Sequence, residues 1–291
     1  MQKLTVNLWM QGTAGEAGEF YAAALPEAKT EIESRYPTEG LLDFQQPLAG
    51  KPLTVSVWVR GTKITLINAG EEFAPNASIS MILSFNTDER DVLDATWAAL
   101  AEGGSVLMPL DTYDFSSRYG WVSDKYGASW QLMESAEPVS ENARVMPCLM
   151  FGGQAQNRAA EAIEFYGQVL GAKLESAFPY GQATEVATAE SLMFAQFSLA
   201  ADAVAAMDSG VRQDFSFTPG VSLEWPCDGQ EEIDRVWEAL SAVPEAEACG
   251  WLTDKFGVSW QIVPSNMGEL MERPGAFEHM LNMKKLVIND F

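Results

Sequence analysis

The run LTVNLWM at residues 4–10 alternates so that Thr5, Asn7 and Trp9 share one face and Val6, Leu8 and Met10 the other, the period of a half-buried strand. Gly12 closes it. AGEAGEFYAAAL at 14–25 then switches to helical spacing, with Ala17, Phe20, Tyr21 and Ala24 on one stripe and Pro26 as its stop. EIESRY at 31–36, LTVSVWV at 53–59 and KITLIN at 63–68 read as further strands, the last two joined by a hairpin at Arg60 and Gly61. In the middle run, Thr54, Ser56 and Trp58 oppose Val55, Val57 and Val59. ISMILSF at 79–85 predicts another strand. A helix follows over 88–100, burying Leu93, Trp97 and Leu100, with Asp88 as its expected cap.

The same order returns later in the chain. CLMFGG at 148–153 leads into QNRAAEAIEFYGQVLG, where Ala162, Phe165, Tyr166 and Val169 make the helical stripe. GWVSDKYGASWQL at 120–132 reappears as GWLTDKFGVSWQI at 250–262. Two more pairs recur in the same order, FNTDERDVLDATWAAL with WPCDGQEEIDRVWEAL and FYAAAL with FYGQVL. Such recurrence marks an internal duplication, with length changes confined to connections, and each half is long enough to cover a sheet with helices. The expected division is 1–137, 145–264 and a tail over 265–291, each copy reading strand, helix, strands, twice over.

The repeated phrase predicts two strands around KYGA and KFGV, with Gly127 and Gly257 supplying the turn. Period two places Trp130 and Leu132 inward and Gln131 on the opposite side, and Trp260, Ile262 and Gln261 likewise. Gln131 and Gln261 either hydrogen-bond a ligand on an open face or serve as structural amides.

Composition narrows the function. Of 291 residues 47% are hydrophobic, and 18 basic against 41 acidic residues give a net charge of −23. That field repels phosphate backbones and anionic lipid, so no nucleic-acid or membrane partner is expected. MQKLTVNLWMQG lacks the marks of a secretory signal and no run has membrane-spanning length, which makes a cytoplasmic location the expectation. Cys148, Cys227 and Cys249 lack CxxC spacing and are expected as small buried hydrophobes. No GxGxxG or GxxxxGK[ST] loop occurs. The single histidine, His279, lies in the tail, where it suits a surface or interface better than Ser-His-Asp or Cys-His catalysis.

The strand-Gly-helix-FY openings, the SMILSFNTDERDVLDATWAAL segment, both GW…DK(Y/F)G…SWQ phrases and the tail MLNMKKLVI together resemble the vicinal oxygen chelate superfamily, also called glyoxalase/bleomycin-resistance/dioxygenase. The resemblance covers most of the chain, is poorest over 200–214, and is nearest the PhnB-like branch often labelled 3-demethylubiquinone-9 3-methyltransferase-like. It implies an α+β fold of tandem vicinal oxygen chelate domains, built from paired βαβββ modules whose sheets curve around a cleft. In that superfamily the cleft often holds a divalent metal on His, Glu or Gln of the first and last strands. Gln131 and Gln261 match the last-strand position, whereas the first strands offer Thr5 or Asn7 and Met146 or Cys148, and ISMILSF and VSLEW lack the histidine. One glutamine per copy is too few for a metal site, so neither metal nor cofactor is expected.

The expectation is therefore a small-molecule-binding protein without the usual metal catalysis, the alternative being a divalent-metal-assisted enzyme on a small oxygenated substrate, in which Gln131 or Gln261 positions the ion. Thr5, Asn7, Trp9, Trp58, Arg118 and Gln131 are expected to line the polar cleft of the first copy. Tyr113 and Tyr119 join Arg118 ahead of the last hairpin, either in the pocket or in ordinary packing, and Gln261 is the counterpart in the second copy. That copy, with Met146, Cys148 and Met150, reads as a support or an apolar pocket. The apolar tail suits packing across a domain or subunit boundary, and a homodimer is favoured over a monomer.

Overall fold

The computed structural model describes residues 2–41 and 43–291. Four modules follow one another. The first is β1 (Thr5–Gln11), α1 (Ala14–Ala24), β2 (Ala28–Arg35), β3 (Pro52–Val59) and β4 (Thr62–Ala69). The second is β5 (Ile79–Phe85), α2 (Arg90–Ala101), β6 (Ser105–Tyr113), β7 (Ser116–Ser123) and β8 (Ser129–Glu134). The third comprises β9 (Val145–Phe151), α3 (Ala159–Leu170), β10 (Lys173–Pro179), β11 (Leu192–Leu199) and β12 (Asp202–Asp208). The fourth comprises β13 (Val221–Cys227), α4 (Gln230–Leu240), β14 (Trp251–Thr253) and β15 (Ser259–Pro264), and α5 (Met267–Met271) and α6 (Ala276–Leu281) lie in the tail.

The sheets do not follow the order of the modules. A seven-stranded sheet runs β14-β15-β13-β1-β4-β3-β2 and joins the first module to the fourth. An eight-stranded sheet runs β10-β11-β12-β9-β5-β8-β7-β6 and joins the second to the third. Each junction is an antiparallel pair of module-opening strands, β1 with β13 (Asn7 opposite Ser222) and β5 with β9 (Ser80 opposite Cys148). The unpaired edge of an opening strand is satisfied in each case by the opening strand of a module from the other half.

The helices lie between the two sheets, and one continuous core joins Val6, Leu8 and Leu66 of the first sheet to Leu83, Phe151 and Phe197 of the second. The recurring sequence phrases meet in this core. Asp124, buried in the β7–β8 turn, accepts from Trp130 Nε1 (2.8 Å), from the hydroxyl of Tyr21 on α1 (2.8 Å), and from the N–H groups of Tyr126 (2.8 Å) and Ala128 (3.1 Å). Asp254 repeats the arrangement with Trp260 Nε1 (2.9 Å), the Tyr166 hydroxyl (2.7 Å) and the N–H groups of Phe256 and Val258. Tyr21 sits on a helix of the first module and Asp124 in a strand turn of the second, so each carboxylate fastens one sheet to the helix layer of the other. The glycine of the phrase is required as well, since Gly127 and Gly257 turn the chain at φ +85° and +91°.

The Arg60–Gly61 hairpin forms with both residues at positive φ, +48° and +80°, as a two-residue β-turn of matching twist demands. Strain at Arg60 is offset by its buried guanidinium, which lies over Phe85 and donates to Ser84 O (2.8 Å) and Glu89 Oε1 (2.7 Å). Glu89 also takes Arg144, so one carboxylate ties the first module to the second and to the segment before β9. Asp88 is not the cap of the helix after β5. Asn86 donates its N–H to Glu89 Oε2 (2.8 Å), the return half of a capping box, because the chain starts with a short 3-10 turn over Thr87–Glu89. Cys148 and Cys227 are buried and Cys249 half-buried.

The tail packs on its own chain. Leu270, Ala276, Leu286 and Phe291 make a small core, Phe277 meets Tyr36 edge to face, and Cys249 and Gly250 donate to Met283 O and Lys284 O. His279 is exposed. Among the described residues no helix is long and apolar enough to cross a membrane.

Candidate functional site

Each sheet keeps one face against the helices, and the other face, though turned away from them, has a buried floor of its own. On that face of the seven-stranded sheet, strand parity and register set Thr253, Ser259, Ser222, Asn7, Thr65, Ser56 and Glu31 opposite one another from β14 to β2. This transverse row is polar throughout. The adjacent row carries Trp251, Gln261, Glu224 and Thr5, with Lys63 and Trp58 facing each other beyond them. Trp9 reaches over from β1 to meet Trp251, with ring centroids 6.0 Å apart, and Phe73 at 5.1 Å. Two strands separate β1 from β14, so these rings close over one end of the polar floor.

The equivalent floor of the eight-stranded sheet is apolar. By the same register Cys148 stands where Asn7 does, Ala205 where Thr65 does, Met146 for Thr5 and Ile82 for Glu224. Ile82, Met146, Cys148, Ala203 and Ala205 pack as one cluster with Phe194 and Met207. The polar groups that remain satisfy one another. Gln131 donates to Ser80 Oγ (2.7 Å) and accepts from the Tyr119 hydroxyl (2.8 Å), and Trp121 Nε1 donates to Ser129 Oγ (2.7 Å).

The corresponding bonds are broken open in the seven-stranded sheet. Gln261 still donates to Ser222 Oγ (2.9 Å), but the position of Tyr119 is taken by Cys249, which has no phenol to offer the amide oxygen. Trp251 turns toward Trp9, and Ser259 Oγ is left without a partner. Asn7 donates to Glu224 Oε2 (3.2 Å) while its Oδ1 stays unpaired, as does Ser56 Oγ. Asn7, Ser56 and Ser259 are each only 1% exposed. Buried polar atoms are almost always paired, so three orphans on one face point to a missing partner.

Electrostatics separate the two faces further. Burial pushes Glu224 above the ordinary carboxylate range, and Glu33 adds to this, against the pull of Asn7 and Lys63. Lys63 is itself held by Glu33 at 2.7 Å. On the other face burial pushes the Cys148 thiol up to about 12, which keeps it protonated and a poor nucleophile. Burial, with the neighbouring Cys148 and Tyr113, also raises Tyr119, leaving it a neutral donor.

Thr5, Asn7, Trp9, Trp58 and Gln261 therefore share the face of the seven-stranded sheet turned away from the helices. Gln131 does not join them. It stands with Tyr119 on the other sheet, because the last strand of the first half pairs with β5 and not with β1. Arg118 points the opposite way from Tyr119 by strand parity and donates to Asp94 Oδ1 on α2 (2.8 Å), outside either such face. Tyr113 lies at the β6 edge, stacked on Phe115, with its hydroxyl on Pro109 O. Sequence reasoning missed Glu224, Ser56, Ser222, Ser259 and Trp251. The signal for Glu224 was present in VSLEW, where one carboxylate shares Ser222's face in a strand otherwise apolar.

The sequence model of the 3-demethylubiquinone-9 3-methyltransferase family matches residues 2–133 and 143–263. The chain belongs to that family. Its fold is that of the vicinal oxygen chelate superfamily. Among solved structures, a PhnB protein from Bacillus cereus is 30% identical over 46% of this chain and 100% of its own, with a TM-score of 0.40. Glyoxalase I from Zea mays is 12% identical over 92% of this chain and 94% of its own, with a TM-score of 0.56, which supports the shared fold of the whole tandem chain. Among curated proteins, none matches.

The superfamily's clefts often hold a divalent ion. Here that face of the seven-stranded sheet sets one half-buried carboxylate, Glu224, among neutral amides and hydroxyls, with no imidazole or thiolate beside it. Among the described residues no group of three His, Cys, Asp or Glu is arranged to hold a metal. This donor set does not fit the superfamily's metal.

Proposed function

We propose that this chain binds a small molecule on the face of the seven-stranded sheet turned away from the helices, without the usual metal catalysis of its superfamily. The observation that carries this reading is the unpaired trio of Asn7 Oδ1, Ser56 Oγ and Ser259 Oγ on one buried floor. Each buried polar atom left unmet costs about 1–3 kcal/mol, a cost that a bound polar molecule relieves. Trp9, Trp251 and Trp58 supply flat apolar surface beside that floor, the usual make-up of a small-molecule site.

The test is native mass spectrometry of the protein equilibrated with a small-molecule cell extract, on the wild type and on Asn7→Ala, Gln261→Ala and Gln131→Ala. An organic adduct is expected that survives Gln131→Ala and falls about ten-fold with Asn7→Ala, the loss of one buried hydrogen bond of about 1.4 kcal/mol. An adduct indifferent to Asn7 would count against the reading. So would a stoichiometric divalent metal that disappears with Gln261→Ala, which would restore the metal-assisted alternative.

A further inference from the structure

We infer that the ligand of the seven-stranded face is a small organic cation, a protonated amine carried on a flat or apolar body. The inference rests on the binding reading above and adds the ligand's charge and hydrogen-bonding sense.

The polarity of the vacant positions decides it. Asn7 donates one amide N–H to Glu224 and Gln261 one to Ser222, each keeping a second N–H, so the acceptors that carry the inference are the Glu224 carboxylate and the Asn7 carbonyl oxygen. Asn7 Oδ1 is buried and without a donor. Glu224 sits directly opposite Gln261 and diagonal to Asn7, which puts acceptor oxygens on three successive strands, with Asn7 and Glu224 already in hydrogen-bond contact. An ammonium group has three N–H donors and no acceptor, and matches that set. A carboxylate or phosphate would instead meet the negative charge of Glu224 beside the Asn7 oxygen.

The charges around the floor agree. Lys63, across Thr5 from Glu224, is taken by Glu33 at 2.7 Å, and Lys29 lies over Trp58 at 5.7 Å. Neither stands free to receive an anion. The rings of Trp9 and Trp251 stand beside the acceptors, a surface that attracts a cation through its π face. The eight-stranded sheet lacks the whole set, with Ile82 in place of Glu224 and the oxygen of Gln131 already occupied by Tyr119.

Three probes of one shape and different charge test this: benzylamine, benzyl alcohol and benzoate, titrated at neutral pH and followed by tryptophan fluorescence and by calorimetry. Benzylamine is expected to bind about ten-fold tighter than benzyl alcohol, with benzoate weakest, as one charge-assisted hydrogen bond to a carboxylate implies. Glu224→Gln is isosteric and keeps an oxygen for Asn7. It should erase the amine's advantage over benzyl alcohol, with a cooperative thermal transition showing that the variant is folded. Benzoate binding as tightly as benzylamine, or an advantage that survives Glu224→Gln, would overturn the inference, as would no binding of any probe at millimolar concentration. Amine and alcohol binding alike, both weakened by Asn7→Ala, would remove the cation while leaving the binding reading intact. An extract adduct that is lost with Asn7→Ala but is acidic would do the same.

Discussion

Asp124→Asn is expected to lower the unfolding free energy by about 3 kcal/mol, a large share of the roughly 5–15 kcal/mol that holds a domain folded. The carboxylate receives four donors, two on each oxygen. Asparagine keeps one oxygen and turns an NH2 group toward Trp130 Nε1 and the Tyr21 hydroxyl. The tyrosine can rotate to accept, but the indole N–H cannot, and a buried donor is left facing a donor. Tyr21→Phe, which removes one donor of four, should cost only about 1 kcal/mol. Urea denaturation of both variants checks the ratio, and equal losses would show that Asp124 is not the centre of the arrangement. Asp254→Asn is expected to follow the same pattern with Tyr166 and Trp260.

Acid should not reproduce that loss through Asp124. Burial lifts its pKa despite the four donors, so the folded state holds a proton there more readily than the unfolded chain does. The stability attached to this ionisation is therefore present at low pH and declines as pH rises through the folded value.

Glu89→Ala is the second large effect, expected at about 3 kcal/mol. It strips the main partner from Arg60, whose side chain is only 2% exposed, and from Arg144, at 13%. Removing one member of a buried ion pair costs more than the pair contributes, because the remaining charge stays desolvated. Glu27 cannot substitute, being 3.4 Å from Arg60 and 66% exposed. Acid should act here in the direction opposite to Asp124. Burial pushes Glu89 up, but the Asn86 N–H, Arg144 and Arg60 outweigh it and leave the group below its ordinary value of 4.5. Its contribution is complete above that value and lost as pH falls through the lower folded pKa. The stability gap between wild type and Glu89→Gln should accordingly narrow as pH falls below the ordinary value of 4.5. A gap that is constant from neutrality to pH 3 would remove Glu89's charge from the account.

Local structure was legible because both faces of most strands differ in polarity. Thr5, Asn7 and Trp9 alternate with Val6, Leu8 and Met10, and β1 forms with that division. Of the helical stripes, Ala17, Tyr21, Ala162, Tyr166 and Val169 bury, whereas Phe20, Ala24 and Phe165 stay half-buried, with Lys125 and Lys255 over the two phenylalanine rings. The link between FY and the GW…DK…SW phrase was not legible, since it is a contact across the helix layer that neither period records. Arg118 was misread for a simpler reason. Its parity is opposite to that of Tyr119 and Gln131, so the grouping by sequence neighbourhood set it on the wrong side of its strand. Glu224 is a lone carboxylate in the otherwise apolar run VSLEW, a signal distinct from the metal-ligating histidine that this strand lacks. The pairing of β1 with β13 lies beyond any local pattern, and it is what separates Gln131 from Asn7.

That pairing also sets an order of assembly during synthesis. All strands of the eight-stranded sheet have left the ribosome by Asp208, whereas β13, β14 and β15 follow only from Val221 onward. Until then β1 presents a bare edge, and the floor of Asn7 and Thr65 has no Ser222, Glu224 or Gln261 beside it. A nascent chain arrested before β13 can thus complete its apolar sheet while exposing a sticky strand and half a polar floor, a species for chaperones to shield and not one that can hold a ligand.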